Sequence, residues 1–351
     1  METTDSSPFY TMSTLKTPVT DHYDNHDLES FTANFMRVAS IICYGITFIL
    51  GSAGNGLVIW IAGFKMKRTV NTIWFLNLGL ANFTLDICLP LLMTEWIMEH
   101  KWPFGQIMCK VVYTAIFLNM SVSVTILMLI SIDRCVSVLY PVWSKNHRSP
   151  RLVLTVCMFT WLLCLILSSP YLKYYDIAEI DVHVFCYAIY ATDYETYLRK
   201  RKPLVIIQFL FMFAVPFSII LVSYSLIVIQ IRRSRSLSGS SRPFKVIIAI
   251  VLCFFISWFP FHTLPLLDIM DVDIEWNAYV VMYYLSDCLA FFNSCLNPML
   301  YVFIGREFKK SLLKSIPFLL ESTFRERDDL NSEQQYNDTV SGTEMETYRE
   351  R

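Results

Sequence analysis

Residues 204–229 read LVIIQFLFMFAVPFSIILVSYSLIVI, a run without a single charged side chain. Wound as a helix at about 1.5 Å per residue, it is long enough to cross the ~30 Å hydrocarbon core of a bilayer. Ile41–Ile61 and Leu152–Pro170 are of the same kind, and 54% of the 351 residues are hydrophobic against 17% charged. The chain is therefore predicted to be an all-α membrane protein, because only helices and closed barrels satisfy every backbone polar group in lipid.

Working outward from that run, helices are expected near 37–63, 70–98, 106–139, 151–172, 201–232, 244–270 and 277–303, a bundle over 37–303 preceded by an exposed acidic tail at 1–36. A short amphipathic eighth helix is expected at 304–320, with Phe308, Leu312, Leu313 and Ile316 on the face opposite Lys309, Lys310 and Lys314, lying along membrane lipid. Residues 321–351 have the polar, charged composition of a disordered tail.

Charge sets the expected orientation. Lys65, Lys67 and Arg68, then Lys145, Arg148 and Arg151, then Arg232, Arg233, Arg235, Arg242 and Lys245 fall in short connections on one side. The positive-inside rule makes that side cytoplasmic and puts Asp21, Asp24, Asp27 and Glu29 outside. The start, METTDSSPFY, has no basic segment leading into an apolar one, so no cleaved signal peptide is expected and the first helix serves as its own insertion signal. A multi-pass plasma-membrane protein with carboxyl terminus inside follows.

A net charge of −1 without a basic patch gives no reason to expect nucleic acid. No spacing of nucleophile, base and oxyanion donors suggests an enzyme, no metal cluster or cofactor motif is present, and no repeated halves suggest a transporter. Of the ten cysteines, Cys109 and Cys186 alone are expected in an oxidising compartment outside the membrane, where they would form a disulfide.

Six prolines lie deep in apolar spans, Pro90, Pro170, Pro216, Pro260, Pro265 and Pro298, each removing a backbone hydrogen bond and bending its helix. Arg134 lies 25 residues after Cys109, ~38 Å along a helix, so a disulfide at one rim and the Asp133-Arg134 pair at the other belong to one span. In the seventh helix stands Asn297-Pro298-Met299-Leu300-Tyr301.

Together with Gly54-Asn55, Leu78 to Asn82, Asp133-Arg134-Cys135, Trp161, Pro216, Tyr224, Phe254, Trp258 and Pro260, that motif resembles the rhodopsin-like G-protein-coupled receptors over residues 37 to 318. The resemblance implies that Asp133 holds Arg134 at rest and releases it to the G protein when the sixth helix swings out. It implies further that Phe254 and Trp258 repack beneath a ligand pocket, and that Tyr224, Asn297, Pro298 and Tyr301 belong to the same switch. Such a bundle has two packings biased by a ligand that binds them unequally.

One position departs from the pattern. Where the family carries a sodium-binding aspartate in the second helix, this sequence has Asn82, with Ser123 and Asn293 beside it, a degenerate site in which stabilisation by sodium is expected to be weak or absent. The segments Phe64-Lys65-Met66-Lys67, Trp102-Pro103-Phe104-Gly105 and Pro141 to Arg148 are similar to those of chemoattractant receptors of the chemerin and formyl-peptide receptor group. That likeness implies an extracellular peptide or small protein as ligand, a heterotrimeric inhibitory-class G protein as transducer, and arrestin and receptor kinases acting on the Ser- and Thr-bearing inner tail.

The expected pocket comprises Glu95, Phe117, Asn119, Lys173, Arg201, Gln208, Trp258, Phe261, Asp268 and Asp287. Phe117 and Gln208 stand where formyl-peptide receptors carry an acid and a base, and Asp287 is the favoured counter-ion for a ligand cation, since an ionisable residue inside a membrane helix is a functional candidate. The alternatives are a ligand-capturing receptor with weak or no G-protein coupling and a receptor for a small lipid or amine.

Overall fold

The computed structural model describes residues 25–180, 182–233 and 242–304, with the side chains of 25–30, 242–251 and 299–304 excepted. The expected eighth helix at 304–320, the tail at 321–351, most of the acidic tail and the side chain of Tyr301 lie outside the described residues.

Among the described residues the helices are α1 (Asn25–Trp60), α2 (Val70–Ile97), α3 (Gly105–Leu139), α4 (Pro141–His147), α5 (Pro150–Tyr174), α6 (Tyr194–Phe209), α7 (Val215–Arg233), α8 (Arg242–Ile269) and α9 (Trp276–Ile304). Seven helical spans are long and apolar enough to cross a membrane, α6 and α7 forming the fifth together. This is a seven-transmembrane bundle.

Local chemistry sets where the helices begin. Thr69 and Thr72 exchange side-chain and backbone hydrogen bonds in a capping box at the start of α2. Ser149 accepts from the Leu152 amide ahead of Pro150, which suits the first turn of α5 because its missing N–H would be unpaired there anyway. Asp193 caps α6 through the Thr196 amide at 2.8 Å.

Inside the fifth span one turn opens to π geometry at Leu210–Ala214, and the Val215 amide reaches back to the Leu210 carbonyl. Pro216 follows directly. The wide turn relieves the clash that its ring would make with the carbonyl four residues earlier.

The burial pattern is that of a protein solvated by lipid. On α5 the inward residues include Val153, Cys157, Thr160, Cys164 and Ser168, whereas Met158, Phe159 and Ile166 face outward, 60–67% exposed. Small and polar residues pack the helices while large apolar ones meet the solvent, as in a membrane interface. α3 is central, packing on α2, α5 and α7. α1 meets α9 where a side chain on Gly54 would come within 3.0 Å of Pro298, so only glycine lets the backbones approach so closely.

Between α5 and α6 the chain forms an antiparallel hairpin, β1 (Tyr175–Ile180) with β2 (His183–Ala188), pairing Ile177 with Cys186. The Trp102 amide bonds the Val184 carbonyl at 2.7 Å, tying the hairpin to the link between α2 and α3. Sequence reasoning gave no strand here.

Candidate functional site

At one end of the bundle the disulfide Cys109–Cys186 joins α3 to β2, with Cα atoms 5.8 Å apart. Asp176 on β1 pairs with Lys110 of α3 at 3.0 Å and accepts from Gln106 at 2.7 Å. Burial acts to raise the Asp176 carboxyl, but these bonds and that of the Ile177 amide outweigh it and hold the group below its ordinary value. The hairpin is thereby fixed over the bundle mouth.

Against it packs an aromatic cluster. Tyr175 stacks on Tyr113 at 4.2 Å, and the Tyr113 hydroxyl donates to Glu95 Oε2 at 2.8 Å. Burial, then Tyr190 and Tyr171, then the Glu95 and Asp287 carboxylates hold the Tyr175 phenol well above its ordinary value, which sets both acids around one ring. Phe117 stacks on Tyr171 at 3.7 Å, and the Tyr171 hydroxyl donates to Gln208 at 2.9 Å, so Tyr171 unites two expected pocket residues from different spans.

Asp287, half-buried on α9, has no hydrogen bond or ion pair among the described residues. Two cations at this end are engaged elsewhere: Arg37 with Glu99 and Lys110 with Asp176. Arg201 and Asp268, expected separately in the pocket, are paired with each other across α6 and α8, with Arg201 over the Tyr197 ring at 5.6 Å. Lys173 is exposed and lies over Tyr174 at 5.7 Å.

Trp258 is buried, edge-on to Phe261 at 6.3 Å and stacked with His262 at 5.7 Å. Phe254 sits 6.3 Å below Trp258 and stacks with Phe213 and Phe217, making an aromatic column toward the other end. Asn119 is buried on α3, with its Nδ2 unpaired.

Mid-bundle, Ser123 donates to Asn82 Oδ1 at 2.9 Å. The amide thus keeps the neighbour that was expected of it. Yet the second span is not without a buried carboxylate. Asp86, one turn along α2 and on the same face, is wholly buried. It accepts from Asn55 Nδ2 at 2.9 Å and Ser294 Oγ at 2.7 Å, joining the first, second and seventh spans. Gly51 makes the room, since a Cβ there would lie 2.5 Å from the carboxylate. Asn293 and Asn297 are buried on the same seventh span, and Asn297 Nδ2, Asn82 Nδ2 and Asn55 Oδ1 lack partners. Sequence reasoning weighed Asn82 alone; the available signal was an acid four residues on, inside an apolar helix.

At the opposite end the expected contact between Asp133 and Arg134 gives way to another. Arg148, just after α4, donates through Nε to Asp133 Oδ1 at 2.7 Å and through Nη2 to Oδ2 at 2.6 Å. Arg134 donates instead to Asn71 Oδ1 at 3.2 Å, an atom that Arg148 also reaches at 2.6 Å, and its Nε has no partner among the described residues. Arg148 wins Asp133 because its Nε and Nη2 present a parallel fork to both oxygens. Ser137 and Ser144, 3.1 Å apart, clip α4 to α3. Tyr224 is buried on α7, in the fifth span.

These parts, a tyrosine-rich cluster against the hairpin, an aromatic column and an arginine cluster beyond it, are placed by seven spans whose sequence matches 7 transmembrane receptor (rhodopsin family) over residues 54–301. The chain belongs to the rhodopsin family of seven-transmembrane receptors. This receptor is 39% identical over 331 residues to Formyl peptide receptor 2 of Mus musculus, covering 91% of this chain and 94% of that one. It is 38% identical to N-formyl peptide receptor 3 of Homo sapiens, covering 88% and 91%, and 38% identical to N-formyl peptide receptor 2 of Homo sapiens, covering 89% and 92%. It is thus a G-protein-coupled receptor of the chemoattractant group and not an enzyme.

Proposed function

We propose that the receptor binds a peptide or small-protein chemoattractant at the disulfide-bearing end, which faces outside the plasma membrane, and signals through inhibitory-class G proteins and arrestin at the other. The orientation rests on the disulfide, which needs an oxidising compartment, and on the basic residues gathered at the opposite end. The peptide reading rests on relatives named as formyl peptide receptors.

The observation that carries the site is Asp287, an unpaired carboxylate in a membrane helix beside a ring of tyrosines. A ligand cation entering there gains a counter-ion and aromatic faces together. Contact at that depth reaches Trp258 and Phe254, and the column carries the shift toward Arg134. Tyr140, Val142 and Trp143, 54–76% exposed beside Arg148, offer apolar contact to a transducer.

The test is nucleotide exchange on an inhibitory-class heterotrimer in membranes carrying the full chain, given fractionated tissue peptides. At least one fraction should raise exchange, and Asp287→Asn should abolish the response at equal surface density. Binding of a fraction without any exchange would instead support a ligand-capturing receptor.

A further inference from the structure

We infer that Arg148 is a positioning residue for Arg134: by occupying Asp133 it keeps Arg134 from being latched, and so holds the receptor poised for its G protein. The inference rests on the G-protein reading above and adds a residue to which the resemblance gave no role.

Two arginines compete for two acceptor groups, Asp133 and Asn71. Asp133 offers two carboxylate oxygens, and Arg148 takes both, at 2.7 and 2.6 Å. Asn71 offers one amide oxygen, shared by Arg148 at 2.6 Å and Arg134 at 3.2 Å. Arg134 is left with the longer bond to a neutral atom and an unpaired Nε. Arg148 holds a carboxylate through two parallel bonds, whereas Arg134 holds one neutral amide oxygen at a longer distance, so Arg134 is the more weakly held member.

It is also the residue next to Asp133 and one shared acceptor away from the atoms that bind it. If Arg148 is removed, the carboxylate is left partly buried without its cation, and the nearest replacement is Arg134. The loss of Arg148 should therefore tighten the restraint on Arg134. A simple clamp reading of Arg148 predicts the reverse sign.

The position of Arg148 makes the arrangement adjustable. It follows α4, a two-turn helix held to α3 by the Ser137–Ser144 contact, with its own amide bonded to the Ser144 carbonyl at 2.9 Å. A partner that displaces α4 moves Arg148 and with it the partition of Asp133 between two arginines.

The experiment measures basal exchange on a purified inhibitory-class heterotrimer by full-length receptor reconstituted in lipid, without ligand. Arg148→Ala should lower the basal rate about fivefold or more, the factor matching the gain of one charge-assisted bond by Arg134. Arg148→Lys, which keeps the charge but not the planar fork, should fall between. Asp133→Asn should exchange at or above the wild-type rate, and adding Arg148→Ala to it should change nothing, because no carboxylate remains to capture Arg134. A merely structural Arg148 would lower the rate in both backgrounds, and that outcome overturns the inference. A rate for Arg148→Ala at or above wild type also overturns it while leaving the receptor reading intact. Exchange by none of the five chains, wild type included, overturns both.

Discussion

Ser294 Oγ donates to Asp86 Oδ1 at 2.7 Å across 208 residues of sequence, and Asn55 meets the other oxygen at 2.9 Å. A single, wholly buried carboxylate thus fastens three spans. Asp86→Ala should cost about 2–5 kcal/mol, since it leaves two buried donors short of an acceptor and opens a cavity. Asp86→Asn, which retains an acceptor, should cost less. Gly51→Ala should also destabilise, because its new methyl would press on the carboxylate. Thermal unfolding in detergent should rank wild type above Asp86→Asn, and Asp86→Asn above Asp86→Ala.

The pair Arg201–Asp268 closes the mouth between the fifth and sixth spans, with side chains 16% and 30% exposed. Each single alanine substitution leaves a partly buried charge alone. The double substitution should therefore destabilise by less than the sum of the singles, with a coupling of about 0.5–3 kcal/mol in a double-mutant cycle of melting. Strict additivity would mean that the pair contributes nothing to stability.

Cys109→Ser and Cys186→Ser should each cost about 2–5 kcal/mol and lower the amount of receptor at the cell surface, with the double substitution no worse than either. The hairpin should suffer most. Protease accessibility of 175–188, rising in both variants and in reduced wild type, is the check.

His100, in the turn after α2, packs edge-on to Trp96 at 4.4 Å. Burial first, then the Arg37 charge, pushes its imidazole down from 6.5 to about 4 against a smaller opposing effect of Glu99. Between those values the unfolded chain binds a proton that the folded one refuses, so stability rises with pH there and is lost as pH falls from 6.5 toward 4. His100→Gln should flatten the melting temperature over that window.

The architecture was legible because lipid imposes one rule on every span: about twenty apolar residues, with polar ones facing inward. The disulfide was legible too, from which cysteines fall beyond the spans. Pairings between side chains were not. Asp133 beside Arg134 in sequence reads as one ion pair, but Arg148 comes from 15 residues on and takes both oxygens. Asn82 reads as a missing charge until the helix places Asp86 on the same face. Arg201 and Asp268 are separate pocket candidates in sequence and one another's partners in space. Such partners depend on which helices meet and at what height, information that no local pattern carries.

Signalling of this kind requires the bundle to act as a two-state relay from the tyrosine-lined mouth to Arg134. Spin labels at the ends of α3 and α8 opposite the disulfide, in reconstituted full-length receptor, report that relay by pulsed resonance distances. The separation should lengthen when an active peptide fraction and a nucleotide-free inhibitory-class heterotrimer are both present, and Arg134→Ala should weaken the heterotrimer's share of the change. Nucleotide exchange proceeding at full rate with the separation unchanged would contradict it.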